Sequence, residues 1–309
     1  MFDLSVIICS HNPRTDLLRR TLDSLQAQEL ELGKWELLLI DNASTVPLDQ
    51  VWDLSWHPHG RHVRESELGL SSARLRGMKE SASDLLVFVD DDNVLDQSYL
   101  LEVRRMKSVW PWLGVWGSGA TIPEFEVQPA EDLRRLTPYL ALRDVKKASW
   151  SNVYPCKEAT PWGAGLCVRA SVADKYRRIN DDSGKLISDR RGKNLMSGGD
   201  VEICYAACSI GLGMGVFPEL KLTHLIPKER LARKYLLDLV EGTVTSDILL
   251  AYRWKGILPE SPLRLRGLLS FIKNGIMGRG LDREIYLAHV RALTTARRII
   301  KTTRPHKAE

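Results

Sequence analysis

The chain has 309 residues, 44% of them hydrophobic and 27% charged, and a net charge of +5. These ordinary globular values exclude a disordered, collagenous or fibrous chain. No run reaches the roughly 18 apolar residues of a membrane-spanning helix, the N-terminus shows no signal peptide, and the irregular spacing of the five cysteines favours a reducing compartment. We therefore expect a cytoplasmic protein.

The first third of the chain alternates between strand and helix patterns. Short apolar runs, typical of strands buried on both faces, occur at residues 4–9, 35–40 and 85–89, and a shorter strand is expected at 62–64. Apolar residues at helical spacing predict helices around 18–25, 71–81 and 99–107. Ser71 or Ser72 is expected near the N-cap of the second helix. This order predicts an α/β fold whose sheet is mostly parallel, with helices on both faces.

The rest of the chain has a weaker pattern. Further strands are expected at 114–119, 164–169 and 215–222, and a helix at 199–210. Residues 120–160 combine scattered proline, tryptophan and charge, so we interpret them as a variable insertion. After Pro227 the pattern becomes helical, at 230–239, 246–253, 263–276 and 282–300. We therefore divide the chain into an α/β domain, residues 1–224, and a helical extension, residues 225–309.

Positive charge accumulates in this extension. From residue 225 onward, 17 Lys and Arg oppose 8 Asp and Glu, a net charge of +9, whereas the first 224 residues carry −4. Residues 263–277 combine apolar stripes with Lys and Arg, as helices on a membrane surface do. A peripheral membrane contact and an amphipathic helix packed on the α/β domain both fit this pattern. Nucleic acid does not fit, because no recognition motif accompanies the charge.

Polar residues follow three of the predicted strands, at the point where each strand ends. They are Ser10, His11 and Asn12 after the first strand, Asp41 and Asn42 after the second, and Asp90, Asp91 and Asp92 after the strand at 85–89. In an open parallel sheet, ligands bind beyond the carboxyl ends of the strands. We therefore expect these side chains to converge on one ligand site.

The three consecutive aspartates indicate the kind of ligand. Adjacent carboxylates repel one another unless a cation neutralises them, and hard ions such as Mg²⁺ or Mn²⁺ bind oxygen ligands together with substrate phosphates. A metal–phosphate site is therefore expected, and a solvated acidic turn is the alternative. The sequence contains no P-loop motif and no dinucleotide-binding motif after a strand, which argues against those two classes of phosphate site.

Six short segments carry a recognisable pattern. They are LSVIICSHNP at 4–13, LIDNAS at 39–44, GLSSAR at 69–74, VFVDDD at 87–92, GGDVEIC at 198–204 and LTH at 222–224. In content and order they resemble the family 2 glycosyltransferases. The resemblance covers residues 3–225 and implies the GT-A type nucleotide-sugar-binding fold, with residues 1–224 as the catalytic domain.

The resemblance also implies a role for each matching position. The predicted nucleotide-sugar ligands are Ser10, His11, Asn12, Asp41, Arg74, Asp90 and Asp91. Asp92 and His224 are the predicted ligands of a Mg²⁺ or Mn²⁺ ion, and Asp200 is the predicted general base. Trp162 is a candidate acceptor contact, because sugars stack on aromatic rings; a buried structural Trp is the alternative.

Some positions depart from the family pattern or have a structural alternative. Gly199 stands where a Glu often precedes the catalytic Asp, which leaves Asp200 as the candidate base and Glu202 as its rival. Leu75 replaces the usual Asn after the Ala-Arg pair. Asp200 also suits the first turn of a helix by its charge, and Asp41 suits the cap of a turn.

The predicted reaction is the metal-dependent, inverting transfer of a hexosyl group from a nucleotide-diphosphate sugar to an acceptor hydroxyl. UDP is the commonest carrier in the family. The resemblance suggests cell-envelope or exopolysaccharide synthesis, with a saccharide or lipid-linked acceptor, in the cytoplasm or at the inner face of the plasma membrane. Two alternatives are a nucleotidyltransferase, which shares an acidic metal site, and a non-catalytic nucleotide-sugar-binding protein, which needs no base.

Overall fold

The structure is a computed structural model that describes residues 2–183, 189–190, 195–259, 275 and 278–303. Its strands are β1 (Leu4–Ser10), β2 (Trp35–Asn42), β3 (Gly60–Glu65), β4 (Leu85–Asp90), β5 (Asn93–Leu95), β6 (Leu113–Phe125), β7 (Arg143–Asp144), β8 (Ser149–Ser151), β9 (Leu166–Arg169) and β10 (Gly213–Ile226). Its helices are α1 (Thr15–Gln26), α2 (Leu70–Glu80), α3 (Tyr99–Val109), α4 (Ala170–Ser183), α5 (Gly199–Ser209), α6 (Arg233–Lys255) and α7 (Gly280–Thr302). Short 3₁₀ segments occur at Leu32–Lys34, Leu48–Gln50, Glu131–Leu140 and Lys228–Leu231.

The strands form one mixed sheet in the spatial order β3-β2-β1-β4-β9-β6-β10-β5, with β7 on β6 and β8 on β10. Strands β3, β2, β1 and β4 are parallel to one another, as are β6 and β10. The prediction of an α/β fold with a mostly parallel central sheet is confirmed. The chain moves outward from β1 to β3 and then places β4 on the other side of β1, so a topological switch point lies between β1 and β4. Ligands bind at such points in α/β sheets.

Alternate residues of the central strands face two helical layers. Val6 and Ile8 of β1 share a core cluster with the buried Leu18, Leu22 and Leu25 of α1. The residue between them in β1, Ile7, packs in the opposite cluster, to which α2, α4 and α5 contribute. Every residue of β2 is buried. The central strands are apolar at nearly every position because helices cover both faces of the sheet.

Helix α2 begins one residue earlier than its sequence pattern suggested. Its N-cap is Gly69, whose φ of 143° lies in a region that favours glycine, and no side chain caps the helix there. Ser71 and Ser72 lie within the first turn. They are therefore near the N-cap, as predicted, but neither side chain caps the helix. The backbone freedom of glycine, rather than a side-chain cap, starts this helix.

The second half is more regular than its sequence pattern. The helices expected at 230–239 and 246–253 are one helix, α6, which continues through Gly242. A Cβ at Gly242 would lie 2.4 Å from the carbonyl oxygen of Leu195, so close packing requires glycine at this position. The same glycine interrupts the helical pattern of the sequence, which therefore predicts two helices. Residues 120–160 are also not wholly irregular, because they supply the end of β6 together with β7 and β8.

The helices after β10 pack on the α/β domain. Ala288, Ala292 and Ala296 of α7 are fully buried at a spacing of four, and these small side chains allow close helix packing. Arg253 of α6 forms an ion pair of 3.1 Å with Glu202 of α5. The division at residue 224 stays a prediction. The helix expected at 263–276 and the membrane-binding segment 263–277 lie outside the described residues. Within the part of the chain that the structure describes, no helix has the length and apolar character to cross a membrane.

Candidate active site

A cavity of about 250 Å³ opens at the carboxyl ends of β1, β2 and β4. Ser10 pairs in register with Asp41, and Cys9 with Asp90, so the three polar clusters lie at one edge of the sheet, as expected. The described residues that line the cavity are Cys9, Ser10, His11, Asn42, Leu68, Leu70, Ala73, Arg74, Asp90, Asp91, Asp92, Ala141, Gly163, Ala164, Arg190, Ser197, Asp200, His224 and Arg230. They include eight of the predicted site residues; Asn12, Asp41 and Trp162 are not among them.

The aspartate triplet lies at the switch point between β1 and β4. Asp90 ends β4, and the Ser10 hydroxyl donates a hydrogen bond of 2.5 Å to Oδ2 of Asp91. Burial and the negative charge of Asp92 raise the pKa of Asp91 to about 7. This carboxyl group therefore holds its proton more tightly than an exposed aspartate does.

Asp92 faces two basic side chains from the end of β10 and the 3₁₀ segment that follows it. Its Oδ2 lies 2.8 Å from Nη1 of Arg230 and 3.5 Å from Nε2 of His224. The same Nη1 lies 3.1 Å from Nε2 of His224. Burial alone would raise the pKa of Asp92, but Arg230, His224 and Arg190 together outweigh it and hold the pKa well below its ordinary value. Within the described ranges, no three His, Cys, Asp or Glu side chains are grouped to hold a metal ion by themselves.

Arg74 and Asp200 also line the cavity, and Asp189 lies behind them. Arg74 is 4% exposed, and its Nη1 donates a hydrogen bond of 3.0 Å to Oδ2 of Asp189. Asp200 lies in the first turn of α5, where its Oδ2 accepts a 2.7 Å hydrogen bond from the backbone N–H of Gly163. Burial raises the pKa of Asp200; the nearby charge of Arg74 opposes this shift and the like charge of Asp189 adds to it. The result is a buried carboxylate that faces the cavity with a raised proton affinity.

Asp41 and its neighbours organise the rim rather than the cavity wall. Asp41 is 3% exposed and accepts hydrogen bonds from the backbone N–H groups of Ser44 (2.9 Å) and Leu48 (3.1 Å), and it pairs with Arg64. This is the turn-capping arrangement weighed above. Its predicted contact with the base is not tested by this geometry and stays a prediction.

The loop that follows β1 is held against this turn. The ring nitrogen Nδ1 of His11 lies 2.7 Å from the carbonyl oxygen of Asn42, which leaves the exposed ring beside the cavity. Asn12 adopts a positive φ of 47°, and its side-chain oxygen accepts a hydrogen bond of 2.8 Å from the backbone N–H of Thr45. Asn12 therefore orders the loop that carries His11.

Trp162 lies outside the cavity lining and is half-buried. The guanidinium of Arg143 stacks over its ring at 3.9 Å, a cation–π contact, and also donates a 2.9 Å hydrogen bond to the carbonyl oxygen of Thr160. One ring face is thus occupied by a protein group. The role of Trp162 toward an acceptor stays a prediction.

Glu202, the rival candidate for the base, points toward α6. Its carboxylate lies 3.1 Å from Nε of Arg253 and accepts a hydrogen bond of 3.2 Å from Nε1 of Trp254, and the residue is fully buried. It is not among the described residues that line the cavity. Burial raises the pKa of Glu202 to about 7, although Arg253 opposes the shift. This position favours a structural role for Glu202.

The raised pKa of Glu202 predicts a pH-dependent stability. Because the native state binds this proton more tightly than the unfolded chain does, its stabilising contribution is complete below pH 4.5 and is lost as the pH rises to about 7. We expect the free energy of unfolding, measured by urea titration, to fall across this window by up to roughly 3 kcal/mol more in the native protein than in Glu202→Gln. The exposed Glu219→Gln serves as control. Equal slopes in all three proteins would contradict the prediction.

The sequence does not predict two of the candidate functional residues, Arg230 and Asp189. Arg230 appears there only as one of many basic residues in the extension, and Asp189 belongs to no recognisable motif. Local sequence offers no signal for either residue, because each is defined by its partners in distant segments. Asp189 and Arg74 are separated by 115 positions.

The N-terminal region is similar to known proteins. Residues 5–106 match the model of the family described as Glycosyl transferase family 2. The chain is also 28% identical over 169 residues to the Succinoglycan biosynthesis protein ExoW of Rhizobium meliloti (strain 1021). That match covers 49% of this chain and 52% of the relative, so the chain spans about half the length of the curated relative it matches.

Solved structures share the fold at low sequence identity. The crystal structure of S. aureus TarS 1–349 in complex with UDP-GlcNAc covers 99% of this chain and 93% of its own, with 12% identity and a TM-score of 0.53. The TarS 1–349 complex with UDP has the same coverage and identity and a TM-score of 0.50. A longer TarS structure covers 99% of this chain and 56% of its own, with 11% identity and a TM-score of 0.53.

The sequence and fold comparisons agree with the geometry at the switch point. The family match includes β1, β2, β4 and the aspartate triplet, which together form one side of the cavity. The structural likeness covers 99% of the chain. Residues 5–106 are thus similar to a family 2 glycosyltransferase domain, and the chain has the GT-A type fold.

Proposed function

We propose that the protein transfers a hexosyl group from a nucleotide-diphosphate sugar to an acceptor hydroxyl, with inversion at the anomeric carbon. The observation that carries this proposal is that one cavity is lined both by a buried carboxylate, Asp200, and by the charged group of Asp92, His224 and Arg230. A proton acceptor and a diphosphate site are the two parts that glycosyl transfer needs. TarS, whose fold is shared, has been crystallised with UDP-GlcNAc and with UDP, which supports a UDP-sugar as donor.

The group of Asp92, His224 and Arg230 suits the diphosphate. Its guanidinium offers several N–H donors, which bind phosphate oxygens well. A divalent ion also fits, because Asp92 and His224 offer a carboxylate and an imidazole 3.5 Å apart, and Arg230 already brings a cationic nitrogen between them. Ions such as Mg²⁺ often take one or two protein ligands and complete their shell with substrate phosphates. Asp92 and His224 would hold such an ion, which would neutralise the charge of the leaving diphosphate.

The nucleoside would lie toward the carboxyl ends of β1 and β2. Ser10 and Asp91 are hydrogen-bonded there, and Asp90 and Asp91 offer oxygens to ribose hydroxyl groups. The exposed ring of His11, held by Asn42, can stack on a base. These contacts would orient the donor so that its sugar points toward Asp200.

Asp200 would act as general base in a single displacement. Each of its carboxylate oxygens accepts one backbone hydrogen bond, from Gly163 and Val201, which fixes its orientation and leaves a lone pair for the substrate. The carboxylate takes the proton of the acceptor hydroxyl as that oxygen bonds to C1 of the sugar. The bond between C1 and the β-phosphate oxygen breaks with its electron pair, and the nucleoside diphosphate leaves. Attack from the face opposite the leaving group inverts C1.

We also propose that the acceptor belongs to cell-envelope or exopolysaccharide synthesis. The similarity to a succinoglycan biosynthesis protein supports a saccharide or lipid-linked acceptor. The cytoplasm, or the inner face of the plasma membrane through residues 263–277, is the proposed location. Flotation of the full chain with anionic liposomes at low salt tests the membrane contact, and the absence of binding would refute it.

Release of nucleoside diphosphate tests the proposed reaction. The purified protein is incubated with a panel of nucleotide sugars, with Mg²⁺, with Mn²⁺ or with EDTA, and the released nucleoside diphosphate is measured with and without crude saccharide or lipid acceptors. We expect release from one donor class, stimulated by acceptor, and a raised melting temperature with the same donor. Pyrophosphate release from nucleoside triphosphates would favour the nucleotidyltransferase. Donor binding without turnover under every acceptor condition would favour the non-catalytic alternative.

A further inference from the structure

Asp189 joins the two elements that carry Arg74 and Asp200. Its Oδ2 accepts the 3.0 Å hydrogen bond from Arg74 of α2, and its Oδ1 accepts hydrogen bonds from the backbone N–H groups of Gly198 (2.9 Å) and Gly199 (2.7 Å) at the start of α5. The side chain is 1% exposed, and the described cavity lining does not include it. Asp189 therefore acts on the cavity only through its neighbours.

Two glycines have no side chain where the Asp189 and Arg74 side chains lie, and so make room for them. A Cβ added at Gly199 would lie 2.2 Å from Oδ2 of Asp189, and a Cβ at Gly163 would lie 2.3 Å from Nη2 of Arg74. Close-packed interiors do not allow such approaches without displacement of the neighbour. Gly199 is also the position at which a Glu is common in the resembled family. In this chain, a carboxylate from a different segment occupies the adjoining space.

We propose that Asp189 is a positioning residue, which fixes the first turn of α5, and with it Asp200, relative to Arg74. The first N–H groups of a helix lack intrahelical partners, and Gly198 at the N-cap has no side chain to satisfy them. The Asp189 carboxylate takes this capping role from outside the helix, and its charge is favourable at a helix N-terminus. This inference rests on the proposed role of Asp200 as the base.

Asp189 also shares a cation with Asp200. The charged and titratable groups that face Asp200 are Arg74 from α2, Arg143 from β7, Asp247 from α6, Cys204 from its own helix, and Asp189. Arg74 is attracted by both carboxylates. Neutralising Asp189 therefore removes a negative charge near Asp200 and leaves Arg74 to act on Asp200 alone. The base then holds its proton less tightly and is a weaker proton acceptor.

Asp189→Asn tests this positioning role. Asn retains an oxygen for the N–H groups of α5 but loses the charge that holds Arg74. We expect kcat to fall by about tenfold or more and the acidic limb of the kcat–pH profile to move down by about one pH unit. A purely structural role would lower the melting temperature and the active fraction without moving the limb, and that result would overturn the proposal.

Gly199→Ala tests the same geometry without altering a charge. Its new methyl group would displace the Asp189 carboxylate, so kcat should fall while the donor Kd stays unchanged. Gly33→Ala is the control, because nothing lies within 4 Å of a Cβ there. Native kcat in Gly199→Ala would contradict the proposal. If Asp200→Asn retains turnover, the assignment of the base fails; if Asp200→Asn is inactive and the acidic limb of Asp189→Asn is unmoved, only the role of Asp189 fails.

Discussion

Asp200→Asn is expected to remove most of the turnover and to leave donor binding intact. The substituted amide keeps an oxygen for the N–H of Gly163 but has no proton affinity in the relevant range, so the acceptor hydroxyl must attack without a base. General base catalysis typically contributes about 10²- to 10⁴-fold to the rate, and we expect a loss of kcat of that size. The donor Kd should change by about twofold or less, because Asp200 is not one of the proposed nucleotide-sugar ligands.

This prediction is checked by donor titration calorimetry together with single-turnover kinetics in saturating acceptor. Asp174→Asn provides the matched control, since Asp174 is an exposed carboxylate of α4 paired with Arg177, and the change should leave both kcat and Kd at native values. Native kcat in Asp200→Asn would show that another group accepts the proton.

Arg230→Met is expected to weaken nucleoside diphosphate binding by about 10- to 100-fold. Hydrogen bonds to charged groups contribute about 1.5–3 kcal/mol each, and the proposed diphosphate would receive at least one from this guanidinium. The change also leaves Asp92, with a side chain 4% exposed, without its strongest cation. Removing one partner of a buried ion pair is costly, so we expect the free energy of unfolding to fall by about 3 kcal/mol.

The same variant distinguishes the contribution of the Arg230 guanidinium from that of a divalent ion bound at this position. In Arg230→Met, Mn²⁺ should bind more tightly and should raise the melting temperature more than in the native protein, because no guanidinium then competes for Asp92 and His224. Lys228→Met removes one charge from the same 3₁₀ segment at an exposed position and should alter neither nucleotide nor Mn²⁺ binding. Loss of affinity in Lys228→Met equal to that in Arg230→Met would indicate only a general charge effect.

Only some of the residues that line the cavity can be predicted from the sequence. Strand β1, strand β4 and the aspartate triplet are visible in the sequence, because a buried strand is a local apolar run and polar residues at its end mark the sheet edge. Their parallel pairing then brings Ser10 and Asp91 into contact. That contact follows from topology without any knowledge of side-chain packing.

Charged partners from distant segments were not accessible in this way. Arg230 follows a strand that adds to the far side of the sheet, and its partner Asp92 lies 138 positions earlier in the chain. Asp41 shows the converse: its position is predicted, yet the turn it caps takes up both of its oxygens. The residue type and its position at a strand end can be predicted from the sequence. The protein groups that occupy its hydrogen-bonding atoms are known only from the folded structure.

The amino-acid sequence by itself determined the order of strands and helices, the edge at which polar groups gather and the resemblance to a glycosyltransferase family, because periodicity and strand ends are local properties. The tertiary structure alone decided that Glu202 pairs with α6, that Arg230 neutralises Asp92 and that Asp189 joins α2 to α5. These contacts join segments far apart in the chain, and a buried charge is stable only where such a partner meets it.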